Sequence, residues 1–480
     1  MIIHTISFFL RGIRGGISFI GHPYAKSRNR FITDNDFENK EEYIEEDYIF
    51  FCDLNNQYGW AMSQYLPEKN FEWEEDFFSD SDIELVKSKI LDLKDDSPEG
   101  YFFEVDLKYP KELHDLHNEF PLCPEQLEIK DEWMSEYQRN MKKSLQIKGK
   151  SKKLCLTLFD KKQYVLHYKN LKFCLENGLI LTKVHKVLKF KQSQWLQPYI
   201  MLNTLLRQSA TSKFEENFAK LMNNSVYGKT CENVRKYKNV KLATNQNEIE
   251  KILRSPLVSD WKLYHENLAS FEMITKSVTL NKPRYVGLTV LELSKLLMYN
   301  FHYNYVMKNF ENVKILLSDT DSFCYHIKTK KDFYKIIKDD IDWFDFSNYN
   351  KDHENYNSDN HLVPGKMKDE MGGKKIDEFV GLRSKMYSIT VENQHDKRAA
   401  KGFLKNIQKN IRHENYLKCI DDVTDISFKG NKIHHENHKL YLIETTKRGL
   451  CAYNDKKHIE KRGFRDFDCT SFGHYKLFQD

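Results

Sequence analysis

The run Leu316-Leu317-Ser318-Asp319-Thr320-Asp321-Ser322-Phe323-Cys324-Tyr325 constrains the fold more than any other stretch of the chain. An apolar segment, a tight polar turn and a second, mostly apolar segment fit two buried strands joined as a hairpin. Val313 to Leu317 is expected as one strand and Phe323 to Ile327 as its partner, with Asp319 and Asp321 at one edge of a sheet. Two carboxylates two residues apart on an extended segment point the same way. Crowded anions of this kind favour a hard divalent cation. Asp-x-Asp alone more often marks a solvated acidic turn, so the remaining sequence has to decide.

A second continuous apolar run, Tyr48 to Cys52, ends at Asp53-Leu54-Asn55-Asn56-Gln57-Tyr58-Gly59-Trp60. A carboxylate at the end of a buried strand, followed by a turn and an aromatic-rich helix start, suits a reactive site; a helix N-cap is the plain alternative. Helical patterning opens at Pro198 and runs to about Gln208, then resumes from Lys213 to Val226, as two antiparallel helices would. Lys220, Asn224 and Tyr227 share one face of the second, which suits a phosphate, a polar contact and a stacked base, or else a solvated face. Gly228 is expected to close that helix. Val290 to Val306 is expected as an apolar helix under the sheet that carries the two Asp residues. Phe379 to Ile389 places Arg383, Lys385 and Tyr387 near a strand start, which fits nucleic-acid contact or an ordinary surface strand.

Other stretches carry weaker expectations. Met1 to Leu10 reads as a strand, Tyr164 to Leu175 as a short helix and Lys328 to Asp345 as an exposed helix. Strands are expected at Gly100–Leu107, Val184–Phe190, Val240–Thr244 and Ser270–Leu280. Asp34 to Asp47 reads as an exposed acidic linker, and Lys143 to Lys153 as a solvated basic loop. Gly15-Gly16 is a turn, or a place where backbone approaches a ligand closely. His434 and His438 would share a face if helical, but no third zinc ligand stands at metal-site spacing.

Length and composition bound these readings. A chain of 480 residues is too long for one ordinary core and calls for about two to four subdomains. A net charge of +5 permits a nucleic-acid partner without requiring one. Nine scattered Cys with no C-x-x-C pair argue against a zinc ribbon and a disulfide framework, and point to a reducing intracellular compartment, the nucleus if the source is eukaryotic. No segment approaches the roughly 18 apolar residues of a membrane span, so no membrane partner is expected. The apolar N-terminus lacks a small-residue cleavage site.

In chain order, these stretches resemble the polymerase motifs of family B DNA polymerases. Asp53 to Gly59 is similar to motif A, departing from its usual pattern at Asn56, Gln57 and Gly59. Lys220-Leu221-Met222-Asn223-Asn224-Ser225-Val226-Tyr227-Gly228 is similar to motif B, Asp319-Thr320-Asp321-Ser322 to motif C, and Lys385-Met386-Tyr387 to the later K-x-Y motif. Gly15-Gly16 resembles the linker motif between exonuclease and polymerase, with Ile13 in place of its Tyr. The segments between the motifs resemble the terminal-protein regions of the protein-primed branch, most nearly that of Maverick/Polinton transposons and their viral and linear-plasmid relatives.

The resemblance implies an α+β right-hand fold with palm, fingers and thumb. It implies a linker remnant over 1–47 after a lost exonuclease, palm over 48–68, a first insertion over 69–195 and fingers over 196–236. A second insertion over 237–285, further palm over 286–400 and a thumb-like region over 401–480 complete it. It implies DNA-directed DNA synthesis with two Mg²⁺ ions, or Mn²⁺, held by Asp53, Asp319, Asp321 and the Leu54 carbonyl. Tyr58, Arg207, Lys213, Lys220, Asn224 and Tyr227 would bind the deoxynucleoside triphosphate. Gly15, Gly16, Ser225, Gly228, Thr320, Ser322, Lys385 and Tyr387 would contact primer-template DNA, with a terminal-protein primer as a further partner. The alternative is a decayed or domesticated remnant that binds DNA without polymerising. A reverse transcriptase shares a palm with paired Asp, but its turn is usually Tyr-x-Asp-Asp and it lacks this motif B helix.

Overall fold

The computed structural model describes residues 2–32, 45–75, 82–149, 151–391, 395–403, 408–436 and 439–478. Its centre is a six-stranded sheet in the order Ser18–Ile20, Asn312–Asp319, Ser322–Thr329, Glu46–Leu54, Met367–Asp369, Phe344–Asp345. Neighbours are antiparallel except for the last pair. Both faces are covered, which explains the unbroken apolar runs. Tyr48, Phe50 and Cys52 enter one core with Phe323, Tyr325 and Ile327. Ile49 and Phe51 enter the other with Leu316, Leu317 and Cys324.

The first core is closed by the helix Arg284–Asn300, which continues through one π-helical turn, Phe301–Val306. The second is closed by a four-stranded sheet of Tyr24–Lys26, Ile376–Arg383, Met386–Val391 and His395–Ala400. The tight turn between Arg383 and Met386 overhangs the edge where the Asp319-Thr320-Asp321 turn lies.

Two antiparallel helices, Gln197–Gln208 and Lys213–Thr230, stand beside this sheet. Pro198 starts the first, and the Ser212 side chain caps the second by accepting from the Glu215 amide at 3.2 Å. Their base is anchored where Ile200, Val226 and Tyr227 pack with Ala61, Met62, Val286 and Val290. Their far part is open: Leu202, Leu205, Leu206, Phe214, Phe218 and Leu221 stay exposed.

The 69–195 region holds an antiparallel sheet of Leu66–Glu74, Ile180–Ser193, Glu99–Lys108 and Lys161–His167. The 237–285 region holds a small three-stranded sheet, Asn239–Ala243, Leu268–Met273 and Val258–His265, with its own core around Phe271. The C-terminal part carries the helix His413–Asp421 and the hairpin Asp425–Glu436/Lys439–Cys451. The whole is an α+β right-hand arrangement of palm sheet, helical fingers and a thumb-like C-terminal region.

Several local expectations are corrected. The N-terminal apolar stretch is a helix, Ile2–Gly12, not a strand; Phe8 and Phe9 lie on one side and pack against Phe102 and Leu188. Tyr164 to Leu175 divides into a strand ending at His167 and a helix from Tyr168 to Glu176. Lys328 to Asp345 holds only the short helix Phe333–Asp339, whose Phe333, Tyr334 and Ile337 are buried. Ser270–Leu280 is extended only as far as Met273. Gly228 does not close its helix, which runs on to Thr230. His434 lies in a strand, so the helical spacing with His438 fails; His438 is outside the described residues. Most of the acidic linker (33–44) and Lys150 also lie outside them, while Lys143 belongs to the helix Glu136–Ser144 and Lys152 and Lys153 to a strand. The nine cysteines are free, and no described helix is long and apolar enough to cross a membrane.

Phe323 is fully buried, with ring neighbours Phe120 at 5.1 Å and Tyr325 at 5.0 Å. Phe323→Ala is expected to lower stability by about 3–5 kcal/mol, read as a lower urea midpoint at unchanged slope.

Candidate active site

The Asp319-Thr320-Asp321 turn is held by its backbone. Thr320 takes a left-handed conformation, φ +71°, which a β-branched residue adopts only under external constraint. Its amide donates to the Ile17 carbonyl at 2.6 Å, and the Asp321 amide donates to the Asp319 carbonyl at 2.9 Å. Gly16 is where this turn meets the 16–17 backbone: a Cβ there would fall 2.4 Å from Thr320 Cγ2. The close approach at Gly16 is therefore to the chain's own turn, whereas the space beside Gly15 is open.

The strand Glu46–Leu54 brings Asp53 opposite Ser322, and the Leu54 amide donates to the Asp321 carbonyl at 2.7 Å. Asp53 and Asp321 are thus on adjacent strands at one sheet end. After Asp53 the chain turns through Asn56, φ +44°, into the short helix Gln57–Met62. Asn55 donates through Nδ2 to buried Asp345 at 2.6 Å, which anchors the turn from the far side. Gly59 leaves room for the Asn56 side chain; a Cβ would lie 2.1 Å from Asn56 Nδ2. Gln57 is only 4% exposed, and its Nε2 donates to the carbonyls of Thr320 (3.1 Å) and Ser294 (3.3 Å).

The carboxylates perturb one another. Burial, Asp321 and Glu370 push Asp53 up to about 8, against the opposing pull of Lys220 and Lys397. Burial and Asp319 push Asp321 up to about 6, while its own backbone amide, Lys220 and Lys385 pull it down. Asp319 instead carries an ion pair, with Lys385 Nζ at 2.6 Å. Lys385 sits at the overhanging turn with φ +62°. Glu370 is paired with Lys397, which also lies over the Phe51 ring at 4.4 Å.

The fingers helix supplies the opposite wall. Lys220 is exposed and its charge reaches both Asp53 and Asp321. Tyr227 stacks on Tyr58, with centroids 4.3 Å apart and planes at 24°. Burial, then Asp321, raises the Tyr58 phenol, so this ring stack borders the carboxylates. Asn224 is exposed on the Lys220 face. Ser225 is exposed and donates to the Met222 carbonyl at 3.1 Å, and the space beside Gly228 is open.

Other expected residues stand elsewhere. Arg207 and Lys213 both pair with Glu216, at 3.1 and 2.6 Å, near the outer connection of the helix pair. Tyr387 is buried, edge-on to Phe51 and stacked with Phe379, so it acts as packing beneath the turn. Gln57, Glu370 and Lys397 were not expected. For Gln57 the available signal was an amide inside an otherwise aromatic and apolar helix start; the other two are recognisable only once the sheets are stacked.

Among the described residues, no three His, Cys, Asp or Glu side chains converge to hold one metal ion. The donor set that does form is the pair Asp53 and Asp321, with Asp319 drawn aside by Lys385. Two carboxylates whose proton affinity is raised by burial and by crowding fit a hard cation that keeps waters and takes further oxygens from a phosphate.

No family model and no curated protein sequence matches the chain. Solved structures do. Phi29 DNA polymerase complexed with primer-template DNA, in a post-translocation binary complex, superposes with a TM-score of 0.50 at 15% identity, over 93% of this chain and 65% of that one. An orthorhombic crystal form of Phi29 DNA polymerase gives a TM-score of 0.50 at 16% identity, over 93% of this chain and 63% of that one. The chain thus spans somewhat less than two thirds of these polymerases and shares their fold.

Because protons and a cation compete for Asp53 and Asp321, Mn²⁺ affinity is expected to rise with pH. Above about 8 both carboxylates are free and affinity is flat. Between about 8 and about 6 one proton must be displaced, costing about tenfold in affinity per pH unit, and below about 6 a second adds to it. Electron paramagnetic resonance titration of Mn²⁺ from pH 5.5 to 9 checks this; a flat profile contradicts it.

Proposed function

We propose that this chain is a DNA-directed DNA polymerase that adds deoxynucleotides to a primer 3′ end by nucleotidyl transfer. One observation carries the reading: Asp53 and Asp321, tied across adjacent strands by the Leu54–Asp321 backbone bond, face a helix that presents Lys220 and Tyr227. The Phi29-like fold supports it, since that fold is described from a primer-template complex.

In this reading Asp53 and Asp321 hold the divalent cations, with the Leu54 carbonyl and Asp319 at the margin. When bound, Mg²⁺ supplies acidification of the primer 3′-hydroxyl and charge neutralisation on the departing pyrophosphate. Lys220 holds the triphosphate as a point charge, assisted by Asn224. Arg207 and Lys213 would reach it only by leaving Glu216. Tyr58 lies under the sugar, where bulk excludes a 2′-hydroxyl, and Tyr227 backs the nascent pair by stacking. Lys385 exchanges its contact with Asp319 for the primer terminus, and Tyr387 supports it from below. Gly15, Ser225, Gly228 and Thr320 line the approach of the DNA, while Gly16, against Thr320, and buried Ser322, opposite Asp53, shape it from beneath. Template sequence is read by base pairing, so the protein needs only backbone contacts. The regions 69–195 and 237–285, each with a sheet of its own, support placement in the protein-primed, Maverick/Polinton-like branch, with a terminal protein as the priming partner.

Asp321→Ala is expected to abolish extension of a primed single-stranded template while leaving primer-template affinity within about threefold, by gel extension and fluorescence anisotropy. Extension at wild-type rate would remove Asp321 from the cation site. Tyr58→Val is expected to raise ribonucleotide use relative to deoxynucleotide by about tenfold or more, in single-nucleotide kinetics. Unchanged discrimination would show that Tyr58 is not the sugar gate.

A further inference from the structure

We infer that Gln57 is a positioning residue for the two-carboxylate site: its side-chain amide clamps the Thr320 carbonyl and so fixes where Asp321 stands relative to Asp53. The inference rests on the reading of Asp53 and Asp321 as cation ligands and adds a residue that this reading does not contain.

The argument starts from accounting for hydrogen bonds. A buried amide must spend its donors inside the protein or incur a desolvation cost. Gln57 Nε2 spends both on backbone carbonyls, Thr320 at 3.1 Å and Ser294 at 3.3 Å. One carbonyl belongs to the catalytic turn and the other to the helix Arg284–Asn300 beneath the sheet. Gln57 itself lies four residues after Asp53. One side chain therefore links the segment carrying Asp53, the turn carrying Asp321 and the core helix.

The turn needs such a link. Thr320 is held at φ +71°, costly for a β-branched residue. Its amide is fixed by Ile17 and its side chain rests on Gly16, but its carbonyl bonds to Gln57. That carbonyl belongs to the peptide plane leading into Asp321, whose own carbonyl is fixed by the Leu54 amide at 2.7 Å. With both flanking planes pinned, the Asp321 Cα–Cβ direction is set. Without Gln57 the Thr320–Asp321 plane is held only by the Asp321 amide's bond to the Asp319 carbonyl inside the turn, and it loses its side-chain tie to the segment after Asp53 that keeps the two carboxylates aimed together. An apolar residue at position 57 would fill the space but could not do this.

The test compares Mn²⁺ binding in the full-length wild type, Gln57→Met, Asp321→Ala and the double variant, by paramagnetic resonance titration. Methionine keeps the length and volume and removes both donors. Gln57→Met is expected to weaken Mn²⁺ binding about tenfold, the size of one lost buried hydrogen bond, and to have no further effect in the Asp321→Ala background. Wild-type affinity in Gln57→Met, or equal weakening in both backgrounds, would overturn the inference. Hydrogen exchange over peptides spanning 318–323 provides a readout independent of metal and activity. Exchange at the turn is expected to quicken at least tenfold in Gln57→Met, and unchanged exchange also overturns the clamp. If the wild type binds no Mn²⁺ while exchange quickens, the clamp stands and the polymerase reading fails. Should Gln57→Met not fold, Gln57→Leu enters the same comparisons.

Discussion

The hydrogen bond from the Leu54 amide to the Asp321 carbonyl is the interaction on which the site depends. It joins the last residue of one strand to the backbone of the residue that bears the second carboxylate, in a hairpin turn that follows it by more than half the chain. Everything around it serves to keep that pair in register. The apolar residues of both strands alternate between two separate cores, so a slip by one residue would drive Tyr48, Phe50 and Cys52 into the wrong core along with every neighbour. Register at the carboxylates is thus secured by packing several residues away from them.

The helix pair is attached to this frame differently. Its base packs on the palm through Ile200, Val226 and Tyr227, and Gln208 at the end of its first helix donates to the His361 carbonyl at 2.7 Å, while its outer half presents apolar side chains to solvent. Lys220 stands between the anchored and the open parts. Its charge reaches the carboxylates without an ion pair to either, which leaves it available to an incoming anion. The Tyr58–Tyr227 stack lies across the same space and unites the helix start after Asp53 with the fingers helix.

The sequence made the frame legible where residues are determined by their neighbours in the chain. The two central strands, the two fingers helices and the common face of Lys220, Asn224 and Tyr227 follow from local periodicity. The N-terminal helix is not legible in the sequence, because a ten-residue apolar run has no distinct period until a partner shows which side is buried. Phe8 and Phe9 find theirs in strands that lie far along the chain, at Phe102 and Leu188. Side-chain partners were the least legible. That Lys385 holds Asp319, that Glu216 gathers Arg207 and Lys213, and that Gln57 grips Thr320 are all consequences of tertiary placement. Gln57 looked like a departure from an apolar position, and only the left-handed turn opposite it explains an amide there.

The pairing of Asp319 with Lys385 changes the charge that this edge of the sheet presents. Three carboxylates stand here, but not as three independent charges. Lys385 pairs with Asp319, and burial, with Asp321 and Glu370 nearby, raises Asp53 to about 8. Asp321, raised only to about 6, is left as a lone charge opposite Lys220. On the polymerase reading, a polyanionic strand approaching this edge meets Lys385 and Lys220 beside the carboxylates rather than three bare anions.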